Sequence, residues 1–198
     1  MKNKFLNLAL VLFCLLLLSL FSNVAQAKTK KYGAIVRLVT KDKFSYCTGT
    51  VVDDYHIVTA FHCVSDLVGK PIFVTTANRS KLFEAEVLEI QPYMDLAVLE
   101  GDFRKFNHIP VKKKQNGFEK SKGPFIIVGY PNDGELLEFK WKPVGQFEFF
   151  VVGNGFLYKG MSGGPCIDVS TREIVGVNSR IDTAGHALIS PIINMVKK

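Results

Sequence analysis

The sequence predicts an all-β fold, on three observations. Short apolar runs follow one another at close spacing, they are rich in Val, Ile, Phe and Thr, and they are bounded by Gly, Pro, Asn and Asp. β-Branched and aromatic residues suit the pleated, half-buried surface of a strand, and the bounding residues suit turns. Many short strands in succession favour a barrel or a sandwich. In order, examples of such runs are Ala34 to Val39, Gly49 to Val52, Ile57 to Thr59, Ile72 to Thr75, Leu82 to Ile90, Leu96 to Leu99, Phe125 to Gly129, Phe147 to Val152, Cys166 to Asp168 and Ile174 to Val177. The segment Lys81 to Ile90 has a second reading as one amphipathic helix. Alternation of Phe83, Ala85 and Val87 with Glu84 and Glu86 supports the strand. A short C-terminal helix is expected from Pro191 to Val196, because proline fits the first turn of a helix.

Ahead of these runs, Lys2 and Lys4 precede an unbroken apolar stretch from Leu8 to Leu18, followed by Val24-Ala25-Gln26-Ala27. A basic start, an apolar centre and a small-residue site describe a secretory signal peptide, here 1–27, cleaved after Ala27. An uncleaved anchor is the alternative, but Leu6 to Phe21 falls a little short of the roughly 20 apolar residues that a spanning helix needs. Cys14 follows Phe13 rather than a small residue, so it leaves with the signal instead of carrying lipid. The protein is therefore expected to be exported, periplasmic or extracellular, with no stable membrane insertion after cleavage.

The remainder, 28–198, suffices for one domain of ordinary size and not for two substantial ones. The net charge of +7 is modest, and loss of Lys2 and Lys4 lowers it by two. Lys112, Lys113, Lys114, Lys120 and Lys122 supply much of the excess from one segment. Without interleaved aromatics, that cluster reads as a solvated connecting loop, and no nucleic-acid partner is expected. No Gly/Ser-rich linker, repeat or low-complexity stretch follows the signal, and 111–123 is the natural seam of the chain. Three cysteines survive cleavage, Cys47, Cys63 and Cys166, and oxidising conditions outside the cytoplasm allow a pair of them to bridge.

Three segments carry chemistry: Thr59-Ala60-Phe61-His62-Cys63, Asp95-Leu96-Ala97-Val98-Leu99 and Gly160-Met161-Ser162-Gly163-Gly164-Pro165. A neutral serine hydroxyl is a poor nucleophile, so acyl transfer needs an imidazole to take its proton and a buried carboxylate to fix the imidazole's tautomer. The order His, Asp, Ser is one of the few in which known folds assemble that set. Taken singly, each segment has a plainer explanation: a structural histidine, a strand-initiating aspartate, a glycine-rich hairpin turn. A zinc site from Cys47, His56, His62 and Cys63 must also be weighed. Adjacent His62 and Cys63 do not readily face one ion and the spacings match no finger pattern, so no metal is expected.

Together the segments resemble the trypsin-like, chymotrypsin-fold serine peptidases, and the resemblance extends over most of the chain after the N-terminus. It implies two packed six-stranded antiparallel β-barrels with a cleft at the seam, His62 and Asp95 on one side and Ser162 on the other. Thr-Ala-Phe-His-Cys departs from the family's histidine box only at Phe61. The interval from His62 to Asp95 is that of the shorter members, among them bacterial glutamyl endopeptidases and HtrA-type protease domains; Asp53, Asp54 and Asp66 fall outside the pattern, and Asp102 is a weak substitute. The resemblance further implies a Cys47–Cys63 disulfide, worth roughly 3 kcal/mol for a loop of this length, and leaves Cys166 buried behind the nucleophile. It also implies an oxyanion hole formed by the N–H groups of Gly160 and Ser162, aimed at one point about 3 Å away.

Met161 stands where digestive members carry the aspartate that pairs with a new N-terminal amine on zymogen cleavage, so no such switch is expected. Val128-Gly129-Tyr130-Pro131-Asn132-Asp133 is similar to the Gly-Tyr-Pro segment of glutamyl endopeptidases. Ile174-Val175-Gly176-Val177-Asn178 resembles the strand that receives the substrate backbone, which an extended peptide would join by main-chain hydrogen bonds. By the same resemblance the primary pocket falls to Phe156 and Leu157, with Val177, Asn178 and His186 as further candidates. The apolar pair favours an apolar side chain at the cleaved position; His186 keeps an acidic preference open, although Leu157 stands where the glutamyl enzymes have threonine. The implied function is secreted serine endopeptidase, acting as a monomer on a protein or peptide substrate without a cofactor. Two other readings stay open: a catalytically silent binding protein of protease fold, and an HtrA-like periplasmic quality-control protease, against which the end of the chain at Lys198 leaves no room for a PDZ domain.

Overall fold

Strand β1 (Ile35–Val39) is buried along its whole length, as expected of a chain segment with walls on both sides. Five further strands follow: β2 (Ser45–Val51), β3 (His56–Thr59), β4 (Ile72–Thr75), β5 (Phe83–Gln91) and β6 (Leu96–Gly101). They close a barrel in the order β1-β2-β3-β6-β5-β4, with β4 returning to pair with β1. Strands β7 (Phe125–Gly129), β8 (Leu137–Phe147), β9 (Phe150–Asn154), β10 (Pro165–Asp168), β11 (Glu173–Ile181) and β12 (Ala187–Pro191) close a second barrel with the equivalent neighbour order. Every pairing between these twelve strands is antiparallel, and one isolated parallel bridge joins Val111 to Ile174. Among the described residues, closure leaves no open sheet edge in either barrel. The computed structural model describes residues 32–112, 118, 123–132 and 134–192; the expected signal segment 1–27 lies outside them. Among the described residues no helix is long and apolar enough to cross a membrane.

The all-β expectation and the two six-stranded barrels hold, with local differences. Segment 83–91 is a strand, not a helix, and its alternation breaks where the register shifts between Val87 and Glu89, which leaves Leu88 exposed. The run Phe147 to Val152 is two strands rather than one: Phe147 pairs with Phe150 across a tight turn, with Glu148 at φ 52°. Strands β8 and β12 were not among the runs given, although in β8 Phe139 and Trp141 alternate with Glu138, Lys140 and Lys142. The C-terminal helix is not seen where it was expected to start, because Pro191 ends β12 opposite Gly176; the rest of that segment, from residue 193, lies outside the described residues. Proline is tolerated at such a strand terminus because few ladder bonds are lost there.

Two apolar cores fill the barrels. The first gathers Val36, Leu38, Ile57, Val74, Leu96, Leu99 and Phe103, and it also takes in Ile174, Val177 and Ile192 from the second half of the chain. The second is built on Ile127, Trp141, Met161, Cys166 and Ile189, with Phe118, Phe125 and Trp141 in mutual ring contact at centroid distances of 5.4–5.9 Å. Such pairs add about 0.5–1.5 kcal/mol each beyond area burial. The start of the connecting segment is not a free loop: the N–H of Ile174 donates to the Pro110 carbonyl at 2.9 Å and that of Lys112 to Ile174 at 3.0 Å. Lys112 also pairs with the buried Asp168 at 3.2 Å. Of the lysine cluster, then, Lys112 has a structural partner; Lys113, Lys114, Lys120 and Lys122 lie outside the described residues.

Candidate active site

His62 sits in a short 3-10 turn (Phe61–Cys63) directly after β3, and Asp95 caps another (Pro92–Met94) directly before β6. Since β3 and β6 are paired neighbours, Thr59 against Ala97, the two ends lie side by side. Asp95 takes a left-handed conformation, φ 50°, which aspartate tolerates better than most residues. Its backbone carbonyl accepts from Phe61 N–H at 3.1 Å, and its carboxylate accepts from the His62 N–H at 2.9 Å. The His62 ring then meets the same carboxylate through Nδ1, 2.8 Å from Oδ2 and 3.1 Å from Oδ1. An ionised carboxylate only accepts, so Nδ1 carries a proton, and in the neutral ring Nε2 then presents its lone pair.

A further donor was not anticipated. The Ser179 hydroxyl, on β11 of the second barrel, donates to Asp95 Oδ2. Asp95 is only 9% exposed, and burial alone would push its carboxyl up. The hydrogen bonds from the His62 ring and from Ser179, the His62 charge and the His62 N–H outweigh that and hold it below the ordinary carboxylate range. Ser179 directly follows the Ile174-to-Asn178 segment singled out in the sequence. Its register relative to Asp95 could be found only by pairing the barrels in space.

Ser162 lies in the loop before β10, between Gly160 at φ 97° and Gly163 at φ 84°. Neither glycine admits a side chain: a Cβ at 160 would stand 2.2 Å from Asn132 N, and one at 163 would stand 2.1 Å from the Thr48 carbonyl. The Lys159 carbonyl accepts from Asn132 N–H at 2.7 Å. In a trans peptide C=O and N–H point opposite ways, so the Gly160 N–H faces away from that contact. The Met161 carbonyl is likewise held, by Gly164 N–H at 3.1 Å and Asn178 Nδ2 at 3.3 Å, which turns the Ser162 N–H outward. Among the described residues neither N–H has an acceptor.

Thr48 joins this loop to the first barrel with all its polar groups. Its N–H donates to the Ser162 carbonyl at 2.8 Å, its hydroxyl donates to the Gly160 carbonyl at 2.8 Å and accepts from Tyr130 N–H at 2.9 Å, and its carbonyl accepts from the Thr59 hydroxyl at 2.8 Å. Its neighbour Cys47 is disulfide-bonded to Cys63, and Cys63 Sγ lies 3.7 Å from His62 Nε2 and 3.8 Å from the Ser162 carbonyl. His62, Asp95 and Ser162 are thus brought to one place. The two sulfurs beside His62 are bonded to each other and so are not thiolate metal ligands. The Ser162 hydroxyl donates to the Ser179 carbonyl at 3.0 Å. Met161 is fully buried in the second core, and Cys166 is buried and unpaired, its thiol pushed well up by burial and by Asp168.

The pocket candidates are dispersed. Phe156 is 68% exposed and Leu157 is buried. Val177 lies in the core between the barrels. The buried Asn178 amide donates to the Val128 carbonyl at 2.9 Å, besides Met161. His186 is in the β11–β12 turn, where its ring and its N–H both bind Asp182, at 3.0 and 2.8 Å.

The sequence of residues 47–177, which includes His62, Asp95 and Ser162, fits the family described as trypsin-like peptidase domain. The chain belongs to that family. Among curated proteins, none matches the sequence. Solved structures similar to this trypsin-like chain include the inactive form of the Rv3671c protease of M. tuberculosis, 18% identical with a TM-score of 0.62, covering 82% of this chain and 85% of that one. The MamO protease domain from Magnetospirillum magneticum is 19% identical, TM-score 0.62, over 81% and 92%. A serine endoprotease from Yersinia pestis is 19% identical, TM-score 0.65, over 82% of this chain and 60% of its own. At such identities the likeness is one of fold, and with the family match it supports a serine protease.

Proposed function

We propose that the protein is an exported serine endopeptidase in which Ser162 attacks a peptide carbonyl, His62 acts as base and then as acid, and Asp95 orients His62. In the first step the Ser162 proton passes to His62 Nε2 as the Oγ–C bond forms. The tetrahedral oxyanion is received by the N–H groups of Gly160 and Ser162, and its collapse expels the amine, protonated by His62, to leave an acyl-enzyme. Water then repeats the sequence with His62 again as base and releases the acid. The observation that carries this reading is the His62–Asp95 pairing at 2.8 Å, set beside a serine loop whose two outward N–H groups have neighbouring carbonyls already held. Preformed donors of this kind need no reorganisation during reaction.

Segment 1–27 is the proposed signal and 28–198 the peptidase domain, with the seam near 111–123; the Cys47–Cys63 disulfide supports an oxidising destination. The active unit is taken to be a monomer. An apolar side chain at the cleaved position fits Phe156 and Leu157, and the engagement of His186 by Asp182 argues against its binding a substrate carboxylate. A second reading, a silent binding protein, draws on the resting Ser162 hydroxyl, which donates to Ser179 rather than to His62. The peptidase reading requires that hydroxyl to turn from Ser179 toward His62 Nε2 by rotation about the Cα–Cβ bond. Treatment of the mature protein with a fluorophosphonate probe, beside Ser162→Ala, decides between them. Labelling of the wild type alone is expected; an unlabelled wild type at neutral pH would sink the enzyme reading.

A further inference from the structure

Arg37 occupies the middle of β1, inside the first barrel's most apolar strand, and is 3% exposed. A guanidinium is costly to bury unless its N–H groups find acceptors. Its Nη1 donates to the Asn132 carbonyl at 3.1 Å and its Nη2 to the Gly134 carbonyl at 2.5 Å, both in the second half of the chain. The guanidinium carbon also lies 3.9 Å from the centre of the Tyr130 ring, a cation–π contact strengthened by exclusion of water. One side chain of the first barrel thereby holds the segment after β7 at Tyr130, Asn132 and Gly134.

The other side of that turn touches the serine loop. Asn132 N–H holds the Lys159 carbonyl at 2.7 Å, and Asn132 N and the Tyr130 carbonyl sit where any Cβ on Gly160 would fall. Asn132 itself is in a left-handed conformation, φ 40°, which asparagine tolerates in turns. Met161, buried and uncharged, has no ion pair to offer the loop. We infer that Arg37 is a positioning residue of the oxyanion hole: by fixing the Asn132 and Gly134 carbonyls it presents Asn132 N–H to Lys159, and so aims the Gly160 N–H. Arg37 touches neither the substrate nor the reacting atoms.

This inference rests on the proposed role of Gly160 as an oxyanion donor, and the test separates the two. Wild type, Arg37→Met and Arg37→Lys are compared for fold by circular dichroism, for fluorophosphonate labelling, and for kcat and KM on one peptide substrate. Loss of a single oxyanion donor typically lowers kcat by about 10²–10³-fold. The expected result is a fall of that order for Arg37→Met, with KM within about twofold, and partial recovery in Arg37→Lys, whose ammonium can still reach one carbonyl but not both. A wild type that neither labels nor cleaves overturns the peptidase reading and this inference with it. A labelled wild type beside a folded Arg37→Met of equal kcat overturns the role of Arg37 alone, as does a KM that rises in step with the loss of kcat. Failure of both variants to fold overturns it too, in favour of a purely structural arginine.

Discussion

Replacing Thr48 by Val keeps the shape of a fully buried side chain and removes its oxygen. Two groups then lose their partner: the Gly160 carbonyl, which accepts from that hydroxyl at 2.8 Å, and the Tyr130 N–H, which donates to it at 2.9 Å. Each buried polar group left unpaired costs about 1–3 kcal/mol, so the substitution should destabilise by about 2–6 kcal/mol. Thr48→Ser retains both bonds and sheds one methyl, a loss of about 1 kcal/mol. Urea unfolding of the three proteins measures the difference, and in a domain of this size each kcal/mol lowers Tm by about 2–4 °C. The backbone bonds of Thr48 to Ser162 and Thr59 survive in both variants, so any gap between Val and Ser belongs to the hydroxyl. If Thr48→Val unfolds within 1 kcal/mol of Thr48→Ser, the hydroxyl does not clamp the serine loop and the reasoning fails.

Ser179→Ala removes one of the hydrogen bonds that hold the Asp95 carboxyl low. Because its folded pKa lies below the unfolded value of about 3.9, Asp95 stabilises the fold fully above that pH and ceases to as pH falls through the folded value. The variant should therefore lose about 1.5–3 kcal/mol near neutrality, and the gap from wild type should shrink below about pH 4; a gap constant from pH 3 to pH 7 in denaturant titrations would contradict this. Reduction of the Cys47–Cys63 bridge, which spans a sequence separation of 16, should cost roughly 3 kcal/mol and slow fluorophosphonate labelling, because Cys63 neighbours both His62 and the Ser162 carbonyl. Unchanged unfolding with and without reductant would show that the bridge adds nothing.

What the sequence made legible was local. The histidine box and the glycine-flanked serine each announce themselves within six residues, and the strands with unbroken apolar runs, such as β6, could be placed to within a few positions. Strand β8 escaped because Glu and Lys alternate with its inward Phe139 and Trp141, which dilutes the apolar count. Its hairpin with β9 escaped because Phe147 and Phe150 flank a turn, Glu148-Phe149, with neither glycine nor proline. The remaining misses are long-range. Ser179 meets Asp95 across 84 residues, Thr48 meets Tyr130 across 82, and Arg37 meets Asn132 across 95. Each is an ordinary polar residue in a strand, and only closure of two barrels against each other reveals what it binds. Val177 and Asn178 illustrate the reverse: close to the serine in space, their side chains are committed to the core and to the Val128 and Met161 carbonyls.

The division of Asp95 and Ser162 between barrels bears on the order of events during synthesis. The half that leaves the ribosome first carries His62, Asp95, Thr48 and Arg37, and has no nucleophile. The half that follows carries Ser162, but among the described residues its carbonyls at 160 and 162 accept hydrogen bonds from Thr48 of the first half. On the proposed roles, neither half alone holds the full set. On that reading, hydrolysis requires the two barrels to be packed on each other, and activity would report completed assembly.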